Sequence, residues 1–115
     1  MPMNNEFCFV KDQNGGFNKV FFEDILFVKS LGNYLQFVTT KGTFVTLGSL
    51  LALETALNKG GSFARAHKSY IVNLAKIDYL SAEGILVAGQ NLPVGAKFLD
   101  TIKKEFVLVH LLRLS

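Results

Sequence analysis

The chain has 115 residues, half of them hydrophobic and eleven of them phenylalanine, with a formal net charge of +3. That length makes one domain able to bury about two-thirds of its unfolded surface. So mild a charge excludes a basic tail or histone-like wrapper while permitting a local cationic patch, and a lone cysteine, Cys8, excludes an internal disulfide and suits a reducing compartment.

Met1-Pro-Met-Asn-Asn-Glu has neither a basic start nor an apolar run, so no secretory signal is expected. Phe7 to Val10 and Phe17 to Phe22 read as strands on either side of Gln13-Asn14-Gly15-Gly16, a hairpin connection rich in residues that tolerate positive φ. Glu23-Asp24 breaks the run before a strand over Ile25 to Lys29. Gly32-Asn33 turns the chain into Tyr34 to Thr39, rich in β-branched and aromatic residues, and Lys41-Gly42 turns it again into Thr43 to Leu47.

A helix follows. Ser49 is its expected cap, and Leu50, Leu53 and Leu57, with Ala56, form one apolar face. Lys59-Gly60-Gly61 is its expected exit, with a cation in the last turn and glycines beyond. Strands resume at Tyr70 to Val72, Ile77 to Leu80, Ile85 to Ala88 and Leu92 to Val94; Pro93 costs the last of these a ladder hydrogen bond and points to a sheet edge. From Leu99 onward two patterns compete. Leu99, Ile102, Phe106 and Val109 fit a helical stripe, while Phe106 to Leu112 reads equally as a buried strand. The residues alone thus give one mostly-β domain with a short helix.

No catalytic pattern emerges. His67 and His110 are the two histidines, and there is neither a nucleophile elbow nor a phosphate-cradling glycine loop. Cys8 sits in an apolar strand-like run, where a thiol is core. Glu23-Asp24 is a lone acidic pair at a turn, and no metal-ligand spacing occurs. Phe106 to Leu112, the longest apolar stretch, is too short to span a bilayer. A cytoplasmic protein with no cofactor, no metal and no enzyme activity is expected.

The most informative run is Phe63 to Asn73, Phe-Ala-Arg-Ala-His-Lys-Ser-Tyr-Ile-Val-Asn. It sets Arg65, His67, Lys68 and Ser69 directly before the apolar Tyr70-Ile71-Val72, so that polar side chains sit on a loop anchored by a strand. Cations beside small hydrogen-bonding groups suit phosphate oxygens and base edges. This run resembles the signature of the LytTR DNA-binding domain, the output domain of many bacterial response regulators. The stretch Phe22 to Tyr34, the block Thr46-Leu47-Gly48-Ser49-Leu50 and the closing block Leu92-Pro93-Val94-Gly95-Ala96-Lys97-Phe98 resemble the family's other motifs, in its order and near its spacing. Together they span Phe7 to Lys104, leaving Glu105 to Ser115 as a C-terminal extension of a single domain covering 1–115.

The resemblance implies a compact stack of small antiparallel sheets presenting loops at one side, with one short helix and a second helix open at the C-terminus. It also implies base contacts from three loops entering successive major grooves. Carried onto this chain, the first loop places Asn33 or Tyr34 at the surface. The second is Arg65 to Ser69, with Lys68 nearest to a base-reading position. The third is Gly95-Ala96-Lys97, where Ala96 replaces a residue that is often basic or polar, and Lys97 stands beside it. Lys29 stands where the family commonly has an acid. Arg65 is expected either to touch phosphate or to hold its loop through a carboxylate, and His67 and Asn73 to be structural. Lys103 and Lys104 are expected to be solvated.

The expected DNA-binding set is therefore Asn33, Tyr34, Arg65, Lys68, Ser69 and Lys97. The expected partner is double-stranded DNA, with a second copy on tandem sites and a receiver or sensor domain elsewhere or on another chain, in transcription control. The rival expectation is a small β-rich interaction module that self-associates through Phe106 to Leu112.

Overall fold

Successive residues of a strand face opposite sides of its sheet, and at the centre of this fold both sides are buried. Val28 pairs with Ile71 and faces one apolar cluster, while their neighbours Phe27 and Val72 pair and face another. The computed structural model describes residues 6–57 and 62–105, which hold ten strands and two α-helices. Strands β1 (Phe7–Lys11) and β2 (Phe17–Phe21) form a hairpin of their own. The central antiparallel sheet is built from β3 (Ile25–Leu31), β4 (Tyr34–Thr39), β5 (Gly42–Leu47), β6 (Phe63–His67) and β7 (Tyr70–Asn73), in the order β5-β4-β3-β7-β6. Helix α1 (Leu50–Leu57) lies between β5 and β6 in the chain. Strands β8 (Ile77–Ser81), β9 (Gly84–Val87) and β10 (Gln90–Leu92) form a third sheet, and α2 (Ala96–Glu105) follows. The stack of small antiparallel sheets that the sequence implies is the architecture observed.

The hairpin and α1 cover one face of the central sheet, where Val10, Val20, Leu50 and Leu57 meet Val28, Leu35, Phe37 and Ile71. The third sheet and α2 cover the other, where Ile85, Val87, Leu92 and Ile102 meet Phe27, Ala66 and Val72. Cys8 is half-buried against the first cluster, and that burial pushes its thiol pKa up.

Each buried Ile or Val is worth about 1.5–3 kcal/mol over an exposed one. Because both faces are apolar, however, burial alone barely distinguishes the β3–β7 register from one slipped by a residue. Asn73 makes the distinction. Its fully buried amide donates to the Ile25 carbonyl at 2.8 Å and the Phe22 carbonyl at 3.4 Å, and accepts from the Ala75 N–H at 3.1 Å. A slip would take the amide N–H groups from the Ile25 and Phe22 carbonyls, leaving only the local Ala75 bond, at about 1–3 kcal/mol. The structural role expected for Asn73 is the one it plays.

Several local expectations are corrected. Phe63–His67 is a strand, not part of a loop, because Ala64, Arg65 and His67 find backbone partners on β7. Ala56 is exposed, so the buried side of α1 is carried by Leu50 and Leu57, with Leu53 half-buried. The cap holds, with Ser49 Oγ accepting from the Ala52 N–H at 3.2 Å. Ala88 ends no strand; it turns the chain between β9 and β10 with φ +49°. The last strand, at the sheet edge as expected, stops at Leu92 before Pro93. The stretch from Leu99 to Glu105 is helical, whereas Lys59-Gly60-Gly61 and Phe106–Leu112 lie outside the described residues.

Candidate nucleic-acid interface

Leu31 pairs with Tyr34, Tyr34 with Leu47, and Lys29 with Tyr70. The Gly32-Asn33 turn, the β5–α1 junction and the Lys68-Ser69 turn therefore lie at one end of the central sheet. Gly32, at φ +60°, makes the first turn with a single residue in left-handed space, as a two-residue hairpin loop with a leading glycine requires. Two backbone bonds tie the three segments together. The Gly48 N–H donates to the Asn33 carbonyl at 3.0 Å, and the Ser30 N–H to the Ser69 carbonyl at 2.9 Å. Between them lies a shallow open concavity of about 770 Å³ lined by Asn33, Ser49, Arg65 and Lys68, among others. Such an open surface suits a large partner lying against it rather than a small enclosed ligand.

Arg65 braces this end. Its guanidinium donates to Glu54 Oε1 at 2.8 Å, to the His67 carbonyl at 3.0 Å and to the Lys68 carbonyl at 2.9 Å. Of the two roles left open for Arg65, carboxylate pairing is the one the geometry displays. Neither Lys68 nor Ser69 has a positive φ, so their turn lacks the backbone that matches hairpin twist best. A bulge between Arg65 and His67 relieves the mismatch, and His67 Nδ1 accepts the Ser69 N–H at 3.1 Å. His67 is thus structural, as expected.

Held in this way, the Lys68 side chain projects into solvent, and Ser69 is half-buried beside it. Asn33 and Tyr34 are both exposed at the neighbouring turn. The Lys29 ammonium lies 5.7 Å from the centre of the Tyr70 ring, itself edge-on to His67. Lys97 is exposed but is not on a turn, because α2 already begins at Ala96. The Gly95 N–H donates to the Ala66 carbonyl at 2.9 Å, which fixes the start of α2 against β6 next to His67. Sequence reasoning missed Glu54, the Arg65 partner on α1, which carried a signal as the one charged residue of Leu50–Leu57.

Among the described residues, no group of three or more His, Cys, Asp or Glu gathers as a metal site, and no helix is long and apolar enough to cross a membrane. A family model described as the LytTr DNA-binding domain matches residues 15–106 of the chain. A similar fold is found in a LytTr DNA-binding domain from a Bacillus cereus protein described as a methyl-accepting/DNA response regulator. The match has a TM-score of 0.71 at 23% identity and covers 86% of this chain and 94% of that one. No curated protein matches.

Proposed function

The chain belongs to the family of LytTr DNA-binding domains, and on that premise we propose that it reads duplex DNA sequence-specifically through the turns at one end of its central sheet. The observation that carries this reading is the convergence there of Asn33, Tyr34, Lys68 and Ser69 on segments tied by two backbone bonds and the Arg65 fork. Lys68 is the central contact, to a base edge or a phosphate, with Asn33 or Tyr34 on one side. Lys97 meets the backbone from the first turn of α2, where helix N–H groups also favour an anion. Arg65 positions the Lys68 turn rather than contacting DNA. Contacts to base edges contribute about 1–3 kcal/mol each, and phosphate contacts make binding steeply salt-dependent.

Turns from separate segments at one sheet end suit entry into successive major grooves, each admitting a different turn. The role is that of a transcriptional regulator or its output domain, acting in the cytoplasm where the chromosome lies. A second copy occupies a tandem site, and a receiver or sensor domain is supplied elsewhere. Selection of bound duplexes from a fragmented genomic pool tests this. A recurrent site should emerge whose affinity exceeds that of scrambled duplex and falls with salt. Recovery of fragments without any shared sequence would leave only non-specific attraction.

A further inference from the structure

The β1–β2 hairpin turns Cys8, Val10 and Val20 into the core and, among the described residues, leaves its other face open. In register across that face, Phe7 lies opposite Phe21, Phe9 opposite Lys19, and Lys11 opposite Phe17. The phenylalanines Phe7, Phe9, Phe17 and Phe21 are 43%, 59%, 63% and 37% exposed, and no acid stands among these residues. Contiguous exposed apolar surface of this kind marks an interaction site. The DNA reading does not use it, and β1 precedes residue 15, where the family match begins.

We propose that this face docks an apolar, acidic surface of a partner protein. The Lys19 ammonium lies 4.2 Å from the Phe7 ring centre and 5.1 Å from that of Phe21. Phe7 is edge-on to Phe9 at 5.6 Å and to Phe21 at 5.9 Å. Lys19 thus already lies over Phe7 and Phe21, which leaves Phe9 and Phe17 rather than the whole cluster as a platform on which bases of a single strand could stack. A second copy would bring the same two cations, and the acids bordering them are engaged, Asp24 with Lys41 at 4.0 Å and Asp12 with the Asn14 and Gly16 N–H groups. The buried cations would therefore lack counter-charges, which is costly. A partner carrying carboxylates satisfies Lys11 and Lys19 while its apolar side chains cover the rings, which serve as aromatic anchors. The Lys11 end of the face borders Tyr34 and Leu47 across a groove, so the partner sits beside the DNA-facing end rather than over it.

The test is to pan a displayed random-peptide library on the whole chain and titrate the recovered peptides. Peptides combining Asp or Glu with aromatic or aliphatic residues should be recovered. Each should bind about tenfold or more weakly to Phe9→Ser and to Lys19→Glu, the loss expected when an anchor is removed. Both side chains are exposed, so both variants should stay folded, with midpoints lowered by no more than the lost ring and cation contacts. Phe9→Ser leaves the charge unchanged, so its DNA titration should match wild type and keep this result separate from the DNA reading. Recovered peptides that lack acids, or that bind both variants as they bind wild type, would overturn the proposal. Oligo(dT) binding lost in Phe9→Ser would assign the face to single strands, and self-association lost in Phe9→Ser would assign it to a second copy. Either result would also overturn it.

Discussion

Glu54 and Arg65 meet at 2.8 Å between α1 and β6, and the same guanidinium holds the His67 and Lys68 carbonyls. An exposed ion pair is worth little, but this one is partly buried and couples a helix to the turn that carries Lys68. Two accounts of Arg65 then differ in sign. If Arg65 were a phosphate contact, removing Glu54 would free it and tighten DNA binding. As a brace, Arg65 loses its anchor, so Glu54→Ala should weaken binding to a selected site several-fold, on the order of 1 kcal/mol. Anisotropy titrations of the two proteins decide between them, and a tighter mutant would return Arg65 to the interface.

Lys97 stands in the first turn of α2, which contains no acid. A cation there opposes the helix dipole by about 0.3–1 kcal/mol, so its presence calls for a use. Lys97→Ala should leave the thermal midpoint unchanged or slightly raised. As a phosphate contact, it should weaken matched and mismatched duplexes alike and make the slope of log K against log salt shallower by about one unit. Loss of discrimination at one end of the site would instead make Lys97 a base reader.

The first five strands were legible because their signals are local: alternating apolar residues, and Gly15, Gly32 and Gly42 at positions with positive φ. The Ser49 cap announced α1 for the same reason. Strand β6 was not legible, since Phe63-Ala-Arg-Ala-His reads as a polar loop until β7 pairs with it. Arg65 shows the same limit at the candidate site. Its identity suggested phosphate or a carboxylate, but two of its three acceptors are backbone carbonyls, which no residue pattern displays. The alternation of Phe7, Phe9, Phe17 and Phe21 indicated strands without showing that no other described residue would cover their outward face.

Ala88 is the one non-glycine residue with positive φ among the described residues, and it shares its turn with Gly89. Both central positions of this turn favour Gly, Asn or Asp, and left-handed backbone costs an alanine about 1 kcal/mol. Ala88→Gly should therefore raise stability by somewhat under 1 kcal/mol after the added chain entropy of glycine. Denaturant unfolding measures this, and a loss of stability would mean that the methyl group packs usefully in the turn.

Val72 is fully buried between β3 and β6, facing the third sheet. Val72→Ala should cost about 1–3 kcal/mol through lost burial and a residual cavity. The DNA affinity of the folded protein should hardly change, because the Lys68 turn is braced from α1 rather than from the third sheet. Binding that collapses while the protein stays folded would tie that sheet to recognition.

Lys68 carries the central claim, since the braced turn presents it to solvent while Arg65 is occupied in holding it there. The decisive measurement compares Lys68→Ala with wild type on a selected duplex and on a scrambled one, at several salt concentrations, with thermal unfolding alongside. The specific complex should weaken by about 1–3 kcal/mol with the unfolding midpoint unmoved. An unchanged affinity for the selected site, with the fold intact, would contradict recognition through this turn.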